Sequence, residues 1–133
     1  MRLPDLDEDS WDLESAEARN RANPDSFQIP DRIHHERLLP GLLAKLLFRI
    51  APEGETASTT IERMWVMVTG EVDGTYMGML ENAPATELGT DHYLVRGAEI
   101  AFGPEHVIDV ELPPPDAIGD LLRREPTHRW PRT

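Results

Sequence analysis

The chain has 133 residues, of which 39% are hydrophobic and 29% are charged, and it contains no cysteine. This length suits one domain of roughly 100 residues with appendages, and the lack of cysteine excludes disulfides and thiolate metal sites. The formal charge of −12 argues against nucleic-acid binding, because an acidic body repels phosphate backbones. No apolar run approaches the roughly 20 residues that span a bilayer, and the acidic N-terminus is not a signal peptide, so we expect a cytoplasmic protein.

Charge divides the chain into three segments. An acidic arm with a helix is expected over residues 1–23, an α+β core domain over 24–112, and a proline spacer, short helix and basic tail over 113–133. Residues 1–26 hold eight acids against three bases, whereas residues 113–133 hold three acids against four bases. The acidic surface would attract a basic protein partner, although negative charge also serves simply to keep a protein in solution.

The N-terminal arm is expected to have an extended or mobile start and then to form one helix. Residues 1–9 offer little to bury, and Ser10 is suited to cap a helix from Trp11 to Ala22. Asn23-Pro24 ends this helix, since proline disfavours the α conformation in the residue before it. The apolar stripe of the helix is thin, so the helix either lies on the core domain or faces a partner.

Two short segments and one buried strand follow. An extended run is expected over residues 27–29, and one or two helical turns over residues 30–38. Leu42 to Ile50 is rich in helix-favouring residues, but it is only nine residues long and lies between Pro40-Gly41 and Ala51-Pro52. Length and flanking residues therefore predict a buried strand.

The clearest prediction is a β-hairpin that reverses at Asp73-Gly74, a dipeptide suited to a two-residue turn with positive φ at both positions. Without a bulge, Met67 would face Leu80; a bulge at Gly70 would shift the register beyond it by one residue. Both faces of this hairpin are apolar, so it needs cover on both sides or a sheet that curls round on itself.

Further strands are predicted at 98–102 and 106–112. Pro113-Pro114-Pro115 is a stiff spacer, after which Asp116 is suited to cap a helix to about Arg124. Trp130 in the tail is expected to pack back on its own domain, as large aromatic side chains usually do. These elements together predict an α+β fold: a strongly curled, barrel-like antiparallel sheet of four to six strands with short flanking helices.

No constellation of residues indicates catalysis, a metal or a cofactor. His34 and His35 are adjacent, so on a helix they point about 100° apart and do not chelate one ion easily. No serine lies in a nucleophile elbow, and the glycines form no phosphate-binding loop. An enzyme built on Glu105, His106 and Asp109 is the weakest hypothesis.

Several blocks of residues occur in an order that resembles a family of small bacterial domains, the domain-of-unknown-function family numbered 2314, and related proteins of the toxin-immunity kind. The similarity covers about residues 24–111, and it is carried by these blocks: Phe27-x-Ile29-Pro30, Leu39-Pro40-Gly41, Lys45-Leu46-x-Phe48, Glu62-Arg63-Met64-Trp65-Val66-x-Val68-Thr69, Gly78-x-Leu80-x-Asn82-x-Pro84 and Phe102-Gly103-Pro104-Glu105-His106-Val107-Ile108-Asp109. The resemblance implies a small α+β domain and protein–protein recognition, and it implies no catalytic residue, cofactor or substrate.

Two functions are therefore expected. The first is a non-catalytic acidic protein-binding domain, of the kind that neutralises a basic toxin domain, with a candidate binding surface formed by Trp65, Tyr76, Asn82, Glu105 and Asp109. The alternative is a small-molecule or peptide-binding module that uses the interior of the curled sheet, with Trp65 and Tyr76 as walls. Neither hypothesis includes a cofactor, and neither specifies the oligomeric state.

Overall fold

A six-stranded antiparallel sheet, curled into a half-barrel, organises the protein in the computed structural model, which describes residues 1–27, 37–55 and 57–132. The strands are β1 (Trp11–Leu13), β2 (Leu43–Ile50), β3 (Thr60–Val72), β4 (Thr75–Leu80), β5 (Glu99–Phe102) and β6 (Val107–Glu111). The helices described are α1 (Leu6–Asp9), α2 (Ala16–Ala22) and α3 (Pro115–Arg123), and a 3₁₀ turn spans Pro104–His106. The predicted α+β fold with a strongly curled antiparallel sheet and short helices is confirmed.

The order of the strands requires the curl. The sheet runs β1–β2–β3–β4–β5, and β6 pairs with β2 beside β1, so β5 and β6 lie at opposite sides of the sheet. Only Gly103 and the 3₁₀ turn separate these two strands in the chain. Because so short a connection cannot cross a flat sheet about 19 Å wide, the sheet bends round until its two sides approach.

The predicted hairpin is confirmed, with the bulge and not the plain register. Asp73 and Gly74 form the turn with φ of 50° and 83°, and Val72 pairs with Thr75. The register then shifts between Val68 and Gly70, so Thr69 is the extra residue. Val66 rather than Met67 faces Leu80 as a result, and Met67 faces Met79. Val66 therefore shares a face with Leu80, whereas the plain register would have placed these two residues on opposite faces.

The buried strand predicted at 42–50 is confirmed as β2, which lies in the middle of the sheet. Its helix-favouring composition is overridden because one edge pairs with β3 while the other pairs with both β1 and β6. Leu46, Phe48 and Ile50 are fully buried along it. These side chains face the inside of the half-barrel, where the main core lies.

The prediction for the N-terminal arm is wrong in two respects. Residues 1–9 are not all extended, because α1 begins after Asp5, whose carboxylate accepts hydrogen bonds from the backbone N–H groups of residues 7 and 8. The helix predicted from Trp11 to Ala22 is split: Trp11–Leu13 pairs with β2, and α2 starts later, with Ser15 rather than Ser10 as its cap. Burial of Trp11 in the sheet outweighs the local helix signal.

The C-terminal prediction is confirmed except for its cap. Helix α3 begins at Pro115, which occupies the first helical position, so Asp116 lies in the first turn and does not cap the helix. Trp130 is 3% exposed and packs on the domain, as expected. Its indole ring contacts Trp11 and Tyr93 edge-on, at centroid distances of 5.6 and 5.5 Å. Both terminal segments therefore contribute to the core cluster.

The extended run predicted at 27–29 and the helical turns predicted at 30–38 fall almost entirely outside the described residues, as do His34 and His35.

Candidate binding surface

Trp65, Asn82 and Asp109 come together on one stretch of the sheet. Trp65 on β3 pairs with Lys45 on β2, and Lys45 pairs in turn with Asp109 on β6. The side chains of Trp65, Lys45 and Asp109 therefore form a row across three strands. The ammonium of Lys45 lies 5.3 Å from the centroid of the Trp65 ring. The side-chain oxygen of Asn82 accepts a 2.7 Å hydrogen bond from the backbone N–H of Trp65. A half-buried indole, a base and an acid thus lie side by side.

Tyr76 belongs to the core rather than to this surface. It is 7% exposed, and its ring stacks on Phe102 with 5.5 Å between the ring centroids. Its hydroxyl accepts a hydrogen bond of 3.2 Å from the backbone N–H of Leu38. The residue therefore fixes the segment before β2 to the sheet.

Glu105 lies in the 3₁₀ turn beside the buried His106. The Nδ1 atom of His106 accepts a 3.0 Å hydrogen bond from the backbone N–H of Gly103, which leaves the proton of the neutral ring on Nε2, 3.6 Å from the Glu105 carboxylate. Burial lowers the pKa of His106, although Glu105 and Asp12 oppose this effect. The ring is thus bonded to its own turn, and this contact holds the connection between β5 and β6 in place.

One end of the half-barrel collects three acidic segments that are far apart in the chain. The backbone N–H of Ala51 donates to the carbonyl of Ser10 at 2.9 Å, which joins α1 to the loop after β2. The backbone N–H of Gly89, in the segment before β5, donates a 3.2 Å hydrogen bond to the carbonyl of Pro52 in that loop. The Glu62 carboxylate accepts hydrogen bonds from the N–H groups of Ala85 and Thr86 at 2.8 and 3.1 Å. We call this region the acidic end.

The acidic end carries exposed carboxylates from all three segments: Asp5, Asp7, Glu8, Glu53, Glu55, Glu87 and Asp91. Two of the bases near them are already engaged, whereas the exposed Arg96 lines the same cavity as Glu87. The guanidinium of Arg2 donates to both oxygens of Asp9 at 2.7 and 2.8 Å, and that of Arg49 donates to both oxygens of Asp12. Arg2 also lies 3.6 Å from the Glu8 carboxylate. Because both guanidinium groups bind chiefly to Asp9 and Asp12, the other exposed carboxylates keep a negative field.

The Glu62 carboxylate holds the loop between β4 and β5 against the acidic end. Burial raises the pKa of its carboxyl, but the hydrogen bonds from Ala85 and Thr86 lower it by more, so the pKa lies below its usual value. The ionised carboxylate therefore anchors the loop that carries Glu87 and Asp91.

Three cavities lie at or beside this end. One of about 320 Å³ is lined by Ser10, Pro52, Glu53, Gly54, Gly89, Thr90, Asp91 and His92. A neighbouring cavity of about 240 Å³ is lined by Pro52, Glu53, Glu55 and Ser58. A third, of about 320 Å³, lies beside them between Ala83 and Arg96. Neither Trp65 nor Tyr76 lines any of the three.

The inside of the sheet is filled by side chains. Phe48, Ile100 and Phe102 are fully buried there, and Trp11 closes one side of the same cluster. A filled interior counts against the alternative function, in which the curled sheet encloses a ligand.

The acidic end was missed by the sequence analysis. Its signal is present in the sequence, because Glu53 and Glu55 stand in one turn-rich stretch and Glu87 and Asp91 in another, with no lysine or arginine in either. Nothing in the order of residues shows that the two stretches adjoin. No group of three or more histidine and acidic side chains suited to hold a metal occurs in the described part of the chain.

Comparisons with known proteins identify no relative: no family model, no curated protein and no solved structure matches the chain. The resemblance to the family numbered 2314 therefore stays a prediction. None of the helices in the described ranges has the length and apolar character needed to cross a membrane.

Proposed function

We propose that this chain is a non-catalytic, acidic protein-binding domain whose partner is a basic protein. The observation that carries the proposal is the acidic end, where exposed carboxylates of three separate segments adjoin and the nearby bases Arg2 and Arg49 are bonded chiefly to Asp9 and Asp12. An immunity protein that neutralises a basic toxin domain in the cytoplasm is the specific form of this function that we favour. The resemblance to the family numbered 2314 supports the same class.

The physical basis is electrostatic steering. A surface of one sign raises the encounter rate with a partner of the opposite sign, and this effect weakens as salt screens the charges. At about 0.05 M salt the screening length exceeds about 10 Å, so several carboxylates act together on an approaching partner. Contacts made by apolar side chains then hold the complex.

Two charge-matched variants of the full chain test the proposal. The first, Asp7→Asn/Glu53→Gln/Glu55→Gln/Asp91→Asn, removes four charges from the acidic end. The control, Asp73→Asn/Glu111→Gln/Asp116→Asn/Asp120→Asn, removes four charges away from the acidic end. Asp73 lies in the turn after β3, Glu111 pairs with Leu43 at the start of β2, and the other two lie in α3, which contacts the turn at Gly41. Both variants have the same net charge, so a difference between them reports location.

We expect the immobilised wild-type chain to capture a basic protein from a lysate of its source organism at about 0.05 M salt and to lose it at about 0.5 M. The control variant should capture the same protein, whereas the acidic-end variant should not. The proposal is wrong if the captured proteins are not basic, if capture is insensitive to salt, or if both variants bind equally well.

A further inference from the structure

The C-terminal tail, residues 127–132, pairs with residues 97–99 at the start of β5, in the manner of a bound peptide. The carbonyl of His128 accepts a 2.9 Å hydrogen bond from the N–H of Glu99, and the N–H of Thr127 donates to the carbonyl of Gly97 at 2.9 Å. A parallel bridge joins His128 to Ala98. Addition of an extended segment to a sheet edge is a common mode of peptide recognition, in which backbone bonds give affinity and side-chain pockets give specificity.

Two side chains of the tail enter specific sites. The rings of Trp11 and Tyr93 stack on each other, and the indole of Trp130 packs edge-on against both. Its N–H donates to the carbonyl of Arg2 at 2.9 Å, and the Arg2 guanidinium lies 4.5 Å from its ring centroid. The guanidinium of Arg132 donates to both oxygens of the Glu99 carboxylate at 2.7 and 2.9 Å. Backbone and side chain act together, because the same carboxylate accepts from the N–H of Trp130.

The receiving surface consists of residues 93–99 together with Arg2 and Trp11, and we call it the tail groove. Glu99 is its buried acidic residue: it is 4% exposed, and burial raises its pKa while the bonds from Arg132 and Trp130 lower it by more. A buried ionised carboxylate needs a cationic partner. The groove therefore selects a segment that carries an aromatic residue and, two positions later, an arginine.

The helix that precedes the tail is only lightly attached. No residue of α3 is buried, and Leu122 is 42% exposed. Its described anchors are the ion pair between Arg124 and Glu81 and the contact of Ile118 and Leu122 with the turn at Gly41. The tail can therefore leave the groove without the removal of a buried helix from the core.

We propose that the tail groove is the binding site for an extended, basic segment of the partner protein, with the pattern Trp-x-Arg, and that the chain's own tail fills it until the partner's segment replaces it. The identity of the occupant as a partner segment rests on the proposed function. The tail is basic whereas the body is strongly acidic, so the contact inside this chain has the charge complementarity expected of the complex.

A tethered tail is a strong competitor. A segment joined by a short linker acts at an effective concentration of about millimolar, so a free peptide at micromolar concentration does not displace it readily. Cleavage of the linker in the folded protein removes this advantage without altering the groove.

The experiment uses the full chain with a protease site inserted after the exposed Glu125 and cleaved under native conditions. The probe is a fluorescent peptide of residues 126–133, and its binding is followed by anisotropy. Control peptides carry Trp130→Ala or Arg132→Ala, and a control chain carries Glu99→Gln. We expect the wild-type peptide to bind the cleaved wild-type chain. Each control peptide, and the wild-type peptide on the Glu99→Gln chain, should bind at least about tenfold more weakly.

Equal binding of wild-type and control peptides overturns the inference, and so does a lack of binding to a cleaved chain whose circular dichroism is native. If cleavage unfolds the chain, the intact Arg132→Ala chain replaces it: its weakened tail should admit the wild-type peptide, and failure to do so also overturns the inference. If light scattering shows that the intact chain is a dimer formed by exchanged tails, the groove binds the tail of a second copy. That result would refute its role in binding a partner segment.

The two proposals fail separately. Salt-sensitive capture of a basic partner without peptide binding refutes only the tail groove. Peptide binding without any basic partner refutes the proposed function and leaves the groove as a site for this sequence.

Discussion

Replacement of Gly78 by alanine tests the close approach of β3 and β4 opposite the bulge at Thr69. Gly78 pairs with Val68, just before the register shifts. A Cβ built at Gly78 would lie 2.6 Å from the carbonyl oxygen of Met67 and would overlap a methyl group of Val66. An ordinary contact is 3.4 Å or more, so the strands would have to move apart by about 0.8 Å.

The expected cost follows from this overlap. Overpacking of a buried site costs about 1–3 kcal/mol. The cost at Gly78 lies in the upper part of this range, because the added Cβ clashes with backbone atoms as well as with a side chain. The lower entropy of the unfolded alanine chain offsets about 0.4–1 kcal/mol. We expect Gly78→Ala to lower the free energy of unfolding by about 2 kcal/mol in urea titrations and to lower Tm by about 8 °C.

Gly70→Ala is the matched control, because Gly70 also lies in β3 near the bulge and a Cβ built there has no atom within 4 Å. This variant should be unchanged or more stable by up to about 1 kcal/mol. If Gly78→Ala is within about 0.5 kcal/mol of the wild type, or no less stable than the control, the close approach of the two strands is wrong.

Three further predictions concern single residues. Asp73→Val should lower the free energy of unfolding by about 1–2 kcal/mol, because it places a branched side chain at a φ of 50°, whereas Asp73→Asn should be nearly neutral; equal stability of the two in urea would contradict the turn. Because the pKa of Glu99 is lowered in the folded protein, the free energy of unfolding of the wild type should fall as the pH falls below 4.5 and this carboxylate takes up a proton. The free energy of unfolding of Glu99→Gln should depend less on pH over this range, and parallel profiles would refute the prediction. Asn82→Ala should weaken protection of the Trp65 amide against hydrogen exchange by about 0.5–1.5 kcal/mol, and Asn82→Asp, which keeps the acceptor oxygen, should preserve it.

The predicted candidate surface was only partly assembled by the fold. Trp65, Asn82 and Asp109 lie together because strands β3, β2 and β6 are neighbours, which residue spacing does not reveal. Tyr76 was chosen for its position in the hairpin, but stacking on Phe102 buries it, and Phe102 lies 26 residues later in the chain. A residue's spacing predicts its face on a strand, but not what another part of the chain places against that face.

Local chemistry was sufficient for the turn at Asp73-Gly74 and the end of the helix at residue 124, because each depends on residues within a few positions of one another. The strand at 42–50 was predicted from its length and flanking residues, but pairing with β1, β3 and β6 is what overrides its helix-favouring composition. The sequence by itself therefore determined the hairpin, the α+β class and the overall negative charge. Tertiary structure decided that Trp11 joins a strand rather than a helix, that Trp130 fills a site made by Arg2, Trp11 and Tyr93, and that the carboxylates of three distant segments share one end of the half-barrel. The reason is that burial energy and electrostatic fields depend on distances in space, and curling of the sheet brings together residues that the chain separates by as many as 128 positions.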